Sequence, residues 1–200
     1  MDTNMSESVL VWMFGGKPGN LRAQNQYSTD NNGNGYSMRN RQVNKNLTYW
    51  KQDLGLNAGY QEIKDRPEAE LDHKIHFRLP DGAEREILTG ERVAFAIGGG
   101  DAFLVYCDRT YGINLCWRGD PSFEWRIYGP TGEKGIPIPT NSWVGMLNEK
   151  VDPNPDFMVY GSRARTASLD WAGGHDSVTN RAIGWAADAA KSALMAYLIG

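Results

Sequence analysis

The chain has 200 residues, of which 40% are hydrophobic and 22% charged, and its formal net charge is −3. These values are typical of a soluble globular protein of about one domain, and the negative charge argues against a general nucleic-acid binder held by phosphate contacts. No stretch of about 18 residues is free of charge, so no membrane-spanning helix is expected.

The first apolar run, 9–14, is followed by two glycines and predicts an opening strand. It is too short for the apolar core of a signal peptide with a cleavage site. We therefore expect a cytoplasmic protein, or one released without a visible signal peptide.

Residues 18–46 are rich in Asn, Gln, Ser and Gly, which predicts a long loop that buries little surface. Basic and aromatic side chains interleave between residues 17 and 51, a combination also found in sites for single-stranded nucleic acid. A solvated loop is the preferred interpretation, so no nucleic-acid partner is expected.

A strand-like pattern recurs three times at nearly equal spacing, over 46–60, 103–117 and 157–171. Each copy begins with a short alternating segment that ends in tyrosine, and each reaches a second aromatic residue further on. The tyrosines are Tyr49, Tyr106 and Tyr160, and the second aromatic residues are Tyr60, Trp117 and Trp171. Because these aromatics recur in every copy, we expect most of them to meet in a shared core or collar. Self-similarity of this kind predicts a fold built from one repeated unit.

Each unit carries about four short strands, since strand and turn signals also precede the second and third copies. Three units are too few for a β-propeller, and a solenoid would require shorter repeats. The remaining prediction is a mainly β fold in which three four-stranded repeats close around a pseudo-threefold axis.

This architecture resembles the β-trefoil superfold of ricin-B-like lectins, fascins, Kunitz-type inhibitors and growth factors. The resemblance covers about residues 9–172, and it is one of architecture alone. The Gln-x-Trp signature of ricin-B-like lectins is replaced by Phe123-Glu124-Trp125. The predicted organisation is a β-trefoil-like domain over 1–174, with repeats at about 9–66, 70–121 and 122–172, and a C-terminal helix over 175–200.

The tail from 177 to 199 contains no proline and is rich in alanine, which favours a helix. Docking of this helix on its own domain is the preferred interpretation. Self-association of the chain through the helix and contact with a membrane remain open.

The cysteines and histidines show no motif of a metal or catalytic site. Cys107 and Cys116 are predicted to be free thiols, because a hairpin turning at 108–111 would hold their Cα atoms beyond bridging distance. The three histidines, His73, His76 and His175, are predicted to lie at the surface or at strand edges. No metal site, cofactor or catalytic constellation is expected.

The candidate ligand-binding residues lie in the polar turns of the first two copies, where acids and amides adjoin aromatic rings. They are Asp108, Arg109, Tyr111 and Asn114 in the second copy, and Trp50, Asp53 and Asn57 in the first. Acids and amides bind sugar hydroxyls, and an aromatic ring packs on the apolar face of a sugar. β-Trefoil lectins, as the resemblance implies, carry shallow sites of this kind on each unit. Arg109 has a second interpretation, in which it supports its own turn by binding backbone carbonyls.

The sequence therefore favours a non-enzymatic carbohydrate-binding module whose partner is a carbohydrate or glycoconjugate. One alternative is a toxin or pore-forming component in which the β domain targets a surface and the tail contacts a membrane or neighbouring chains. Another is a protease inhibitor, although the loop at 18–46 lacks the proline bracing and disulfides expected of an inhibitory loop.

Overall fold

The computed structural model describes residues 7–25, 35–49, 51, 56–61, 75–96, 102–109, 113–161 and 168–173. This part of the chain is mainly β and contains no helix, which confirms the predicted class. Its strands are β1 Trp12–Gly15, β2 Ser37–Asn40, β3 Lys45–Thr48, β4 Gly59–Gln61, β5 His76–Arg78, β6 Arg92–Ala96, β7 Phe103–Tyr106, β8 Leu115–Arg118, β9 Trp125–Tyr128, β10 Trp143–Asn148, β11 Asp156–Tyr160 and β12 Leu169–Trp171. The helix predicted at 175–200 lies outside the described residues.

The strands form a curled antiparallel sheet with the shape of a half-barrel. Its main path runs β4-β3-β2-β1-β10-β9-β6-β7-β8, while β11 pairs with β10 and β12, and β5 pairs with β6. The sheet therefore joins strands that lie far apart in the sequence, such as β1 with β10 and β6 with β9.

Alternation along the strands decides which side chains face the core. In β1, Trp12 and Phe14 are buried while Met13 between them is partly exposed. The rings of Phe77 and Phe95 stack with centroids 5.7 Å apart, and Phe14 meets Phe77 edge-on at 4.9 Å. Burial of each such ring contributes about 2–3 kcal/mol, so this aromatic cluster is a main source of stability.

A cyclic set of backbone hydrogen bonds joins three connecting segments at residues 21, 87 and 138. The N–H of Leu21 donates to Ile138 at 2.8 Å, that of Ile138 to Ile87 at 3.2 Å, and that of Ile87 to Leu21 at 2.8 Å. All three side chains are fully buried. These segments connect β1 to β2, β5 to β6 and β9 to β10, so the hydrogen bonds link parts of the chain that lie far apart in the sequence.

The three copies of the repeated pattern form antiparallel strand pairs in a common register. In each copy, a residue of the first strand lies opposite the second aromatic residue of the pattern. These opposite residues are Leu47 and Tyr60, Leu104 and Trp117, and Met158 and Trp171. The strand pair predicted between Tyr106 and Leu115 is therefore present, and the other two copies contain strand pairs of the same kind.

The prediction of free thiols is wrong, because Cys107 and Cys116 form a disulfide with their Cα atoms 6.0 Å apart. Residue Val105 lies opposite Cys116, whereas the predicted hairpin placed residue 103 there. This shift of two residues along the strand brings Cys107 within the separation that a disulfide requires.

The prediction of surface histidines is wrong for His76, which is fully buried beside the ring of Phe103. The next residue of β5, Phe77, is also fully buried, so side chains on both faces of this strand are covered, which the sequence pattern did not indicate. His73 and His175 lie outside the described residues.

Candidate ligand-binding surface

The tyrosines that end the repeated strands each contact an aromatic ring of another copy. The ring centroids lie 5.6 Å apart for Tyr49 and Trp117, 6.3 Å for Tyr106 and Trp171, and 6.0 Å for Tyr160 and Tyr60. Aromatic pairs at these distances attract one another through edge-to-face or tilted geometry. These contacts therefore agree with the prediction that the aromatic side chains of different copies meet.

Tyr49 differs from the other two tyrosines because 43% of its surface is exposed. Tyr106 and Tyr160 are only partly exposed. The hydroxyl of Tyr49 accepts a hydrogen bond from Nδ2 of Asn57 at 3.2 Å. An exposed ring, an amide and the edge of Trp117 thus lie together on one surface, which we call the Tyr49 surface.

Asn114 holds the corresponding position in the second copy but is buried. Its Nδ2 donates to the hydroxyl of Tyr106 at 3.3 Å, and its Oδ1 accepts from the backbone N–H of Arg109 at 3.3 Å. The amide of Asn114 therefore already binds partners of the fold through both its oxygen and its nitrogen.

Arg109 and Asp108 occupy the same loop as Asn114. Nη1 of Arg109 donates to the carbonyl of Leu115 at 3.0 Å, which agrees with the interpretation that this arginine supports its turn. Asp108 is exposed. Of the predicted site residues, Asp108, Arg109 and Asn114 thus lie together in one loop. Asn57 lies apart from them, beside Tyr49.

The remaining predicted site residues, Trp50, Asp53 and Tyr111, lie outside the described residues. Trp50 directly follows Tyr49, and Asp53 precedes Asn57 by four positions. Their contribution to a site stays a prediction.

Sequence reasoning missed a polar pocket between β6 and β9. It has a volume of about 400 Å³ and is lined by Pro80, Asp81, Glu91, Arg92 and Arg126. Arg92 and Arg126 belong to two different predicted repeats, at about 70–121 and 122–172. Local sequence patterns do not reveal which strands of different repeats become neighbours. The pairing of β6 with β9, which brings the two arginines together, therefore has no local signal in the sequence.

A single carboxylate holds the two arginines of this pocket. Nε of Arg92 lies 2.6 Å from Oε2 of Glu149, and Nε of Arg126 donates to Oε1 of the same residue at 2.5 Å. Burial alone would raise the pKa of Glu149, but the hydrogen bonds and charges of the two arginines outweigh this effect and lower it. Glu149 is therefore ionised at neutral pH.

Two carboxylates, Asp81 and Glu91, also line the pocket, and we call them its acidic wall. Glu91 and Asp81 both bind Arg85, and Glu91 also accepts the backbone N–H of Leu88 at 3.1 Å. Burial raises the pKa of Glu91, yet its hydrogen bonds to Arg85 and Leu88 lower the pKa overall. The pKa of Asp81 is lowered, first by the hydrogen bond from the N–H of Ala83. The pocket therefore presents a basic wall and an acidic wall at neutral pH.

No group of three or more His, Cys, Asp or Glu side chains suited to a metal ion occurs within the described ranges. The same part of the chain contains no helix of the length and apolar character needed to cross a membrane.

Comparisons with models of known families, with curated proteins and with solved structures gave no match. Function must therefore be argued from the residues and geometry of this chain.

Proposed function

We propose that this protein is a non-enzymatic carbohydrate-binding module with a β-trefoil-like fold, and that the Tyr49 surface is its principal sugar site. The observation that carries this proposal is the exposed ring of Tyr49 with the amide of Asn57 bonded to its hydroxyl. An exposed ring beside an amide offers both kinds of contact that a sugar requires.

Three sets of contacts support the trefoil arrangement. In each set, every two of the three predicted repeats make one such contact. The sets are the backbone ring at 21, 87 and 138, the three aromatic pairs, and the bridges of Trp12 with Val144, Val93 with Trp125, and Tyr36 with Ile75. Equivalent contacts of this kind are expected when three similar units surround one axis.

The chemistry of the Tyr49 surface suits a neutral sugar. The ring of Tyr49 offers a flat apolar face to the C–H groups of a pyranose, and the edge of Trp117 limits how the sugar can lie. Asn57 has amide groups that can donate to and accept from hydroxyls. Trp50 and Asp53 are proposed as further contacts, by their positions beside Tyr49 and Asn57 in the sequence.

The turn of the second copy is proposed as a weaker site. Asp108 is exposed and Arg109 is partly exposed, so both can reach a ligand. Asn114 is buried and binds Tyr106, so in this turn the amide serves mainly to position the tyrosine. Tyr111 would supply the aromatic ring.

A panel of simple neutral sugars titrated into isotopically labelled protein and followed by NMR tests the proposal. We expect a subset of sugars to shift the signals of Tyr49 and Asn57 in a saturable manner. Tyr49→Ala should abolish these shifts, whereas Ile136→Ala should leave them unchanged, since Ile136 is a large apolar residue that is 40% exposed elsewhere. Absence of saturable binding by any sugar on a broad glycan array would refute the proposed function.

A further inference from the structure

We infer that the pocket between β6 and β9 is a second binding site, separate from the Tyr49 surface, for a small hydroxy acid. The carboxylate of the ligand would bind Arg92 and Arg126, and its hydroxyl groups would bind the acidic wall formed by Asp81 and Glu91. This inference does not depend on the proposed function of the Tyr49 surface.

The first argument is the placement of two like charges. Arg92 and Arg126 are directly opposite one another across the β6–β9 pair, so their side chains leave the same face of the sheet. Like charges in this relation are destabilising, and in the part of the chain that the structure describes a single carboxylate, that of Glu149, binds both. The basic wall therefore keeps an excess of one positive charge that an anionic ligand would neutralise.

The second argument is that the fold does not require arginines at this junction. The equivalent junction between β1 and β10 places Met13 opposite Trp143, one residue along from the pair of Trp12 and Val144. In the β6–β9 junction, the arginines lie one residue along from the pair of Val93 and Trp125. The same position is thus apolar in one junction and doubly basic in the other.

The third argument is access. Arg92 is 56% exposed and, among the described residues, makes its one ion pair through Nε. Arg126 binds Glu149 and the carbonyl of Gly90 through Nε and Nη1. Among the residues that the structure describes, the other N–H groups of the two guanidiniums have no partner. Both arginines line an open pocket of about 400 Å³, which lies within the size range of small-ligand sites.

The acidic wall selects among anions. Asp81 and Glu91 line the same pocket and carry two negative charges at neutral pH against the one positive charge of Arg85, which binds both. The remaining negative charge repels a dianion such as phosphate more strongly than a monoanion. The two carboxylates also accept hydrogen bonds, which hydroxyl groups can donate. A carboxylate joined to hydroxyls therefore complements both walls of the pocket.

The test uses D-glucuronate as the probe, with D-glucose, acetate and inorganic phosphate in parallel titrations followed by NMR. We expect glucuronate to shift the signals of Arg92 and Arg126 with higher affinity than acetate or phosphate. Glucose should leave these signals unchanged even if it binds at Tyr49. Phosphate or acetate binding as tightly as glucuronate would overturn the assignment, and so would glucuronate shifts confined to Tyr49 and Asn57.

Two variants separate a ligand site from a structural ion-pair network. Arg92→Gln should weaken glucuronate binding about tenfold or more, because a charge-assisted hydrogen bond is lost. Arg118→Gln, which removes an exposed arginine on β8, should have no effect. Asp81→Asn should weaken glucuronate binding more than acetate binding. Unchanged glucuronate affinity in Arg92→Gln would refute the proposed site.

Discussion

Trp12 and Trp125 make the same hydrogen bond from corresponding positions of β1 and β9. The indole N–H of Trp12 donates to the carbonyl of Met158 at 2.7 Å, and that of Trp125 donates to the carbonyl of Leu104 at 2.6 Å. Each bond is buried; the first joins β1 to β11 and the second joins β9 to β7. The two tryptophans therefore link these strands by polar contacts as well as by packing.

We predict that Trp12→Phe lowers the free energy of unfolding by about 1–3 kcal/mol, because the carbonyl of Met158 loses its buried partner. Urea-induced unfolding followed by circular dichroism measures the change. Trp117→Phe is the matched control, since the buried indole N–H of Trp117 has no hydrogen-bond partner within the described residues. Equal losses in the two variants would show that packing, and not the hydrogen bond, sets the effect.

The disulfide between Cys107 and Cys116 should stabilise the β7–β8 hairpin. It closes a loop with a sequence separation of 9, for which the loss of chain entropy in the unfolded state corresponds to about 2–3 kcal/mol. We predict that dithiothreitol lowers the thermal midpoint of the wild-type protein by several degrees. The double variant Cys107→Ser/Cys116→Ser should melt at the lower temperature with or without reductant. A wild-type midpoint that does not respond to complete reduction would contradict the prediction.

The strands β7 and β11 were predictable because their signal is local: the apolar segments that end in Tyr106 and Tyr160 both form strands. The alternation expected in the first of them is absent, since Phe103, Leu104 and Val105 are all buried. The prediction of a long loop over 18–46 that buries little surface is wrong, because β2 lies within it and side chains such as Leu21 and Met38 are fully buried.

The register of β7 with β8 was predicted wrongly by two residues. Its loop is longer than a tight turn, since the backbone N–H of Arg109 bonds to the side chain of Asn114 instead of closing a short hairpin.

The polar pocket could not be predicted, because its residues come from strands whose adjacency is decided by the whole sheet. Arg92, Arg126 and Glu149 lie on or beside three different strands, and their contact needs β9 to pair with both β6 and β10. Exposure is also a global property. The same sequence pattern surrounds Tyr49, Tyr106 and Tyr160. Packing nevertheless leaves Tyr49 exposed, whereas Tyr106 and Tyr160 are only partly exposed.

The ion pairs of Glu149 should make stability depend on pH. The pKa of Glu149 in the folded protein lies below its usual value of 4.5, so its contribution is fully present well above that pH. The contribution is lost as the pH falls through the lower pKa of the folded state. We predict that Glu149→Gln melts below the wild type at pH 7 and that the difference between the two midpoints shrinks as the pH falls below 4.5. A difference that is constant from pH 7 to pH 3 would contradict this linkage.

The two asparagines that bind tyrosine hydroxyls should respond differently to removal. Asn114 is buried and bonded through both ends of its amide, so Asn114→Ala leaves the backbone N–H of Arg109 and the hydroxyl of Tyr106 without this partner. We predict a loss of about 1–3 kcal/mol in the free energy of unfolding. Asn57 lies at the partly exposed Tyr49 surface, where water can replace the lost contact, so Asn57→Ala should cost less than about 1 kcal/mol. The same variant should weaken sugar binding at Tyr49 severalfold, and titration of both variants with the best-binding neutral sugar checks this. If Asn57→Ala binds that sugar as well as the wild type does, the amide has no part in recognition and the site reduces to the ring of Tyr49.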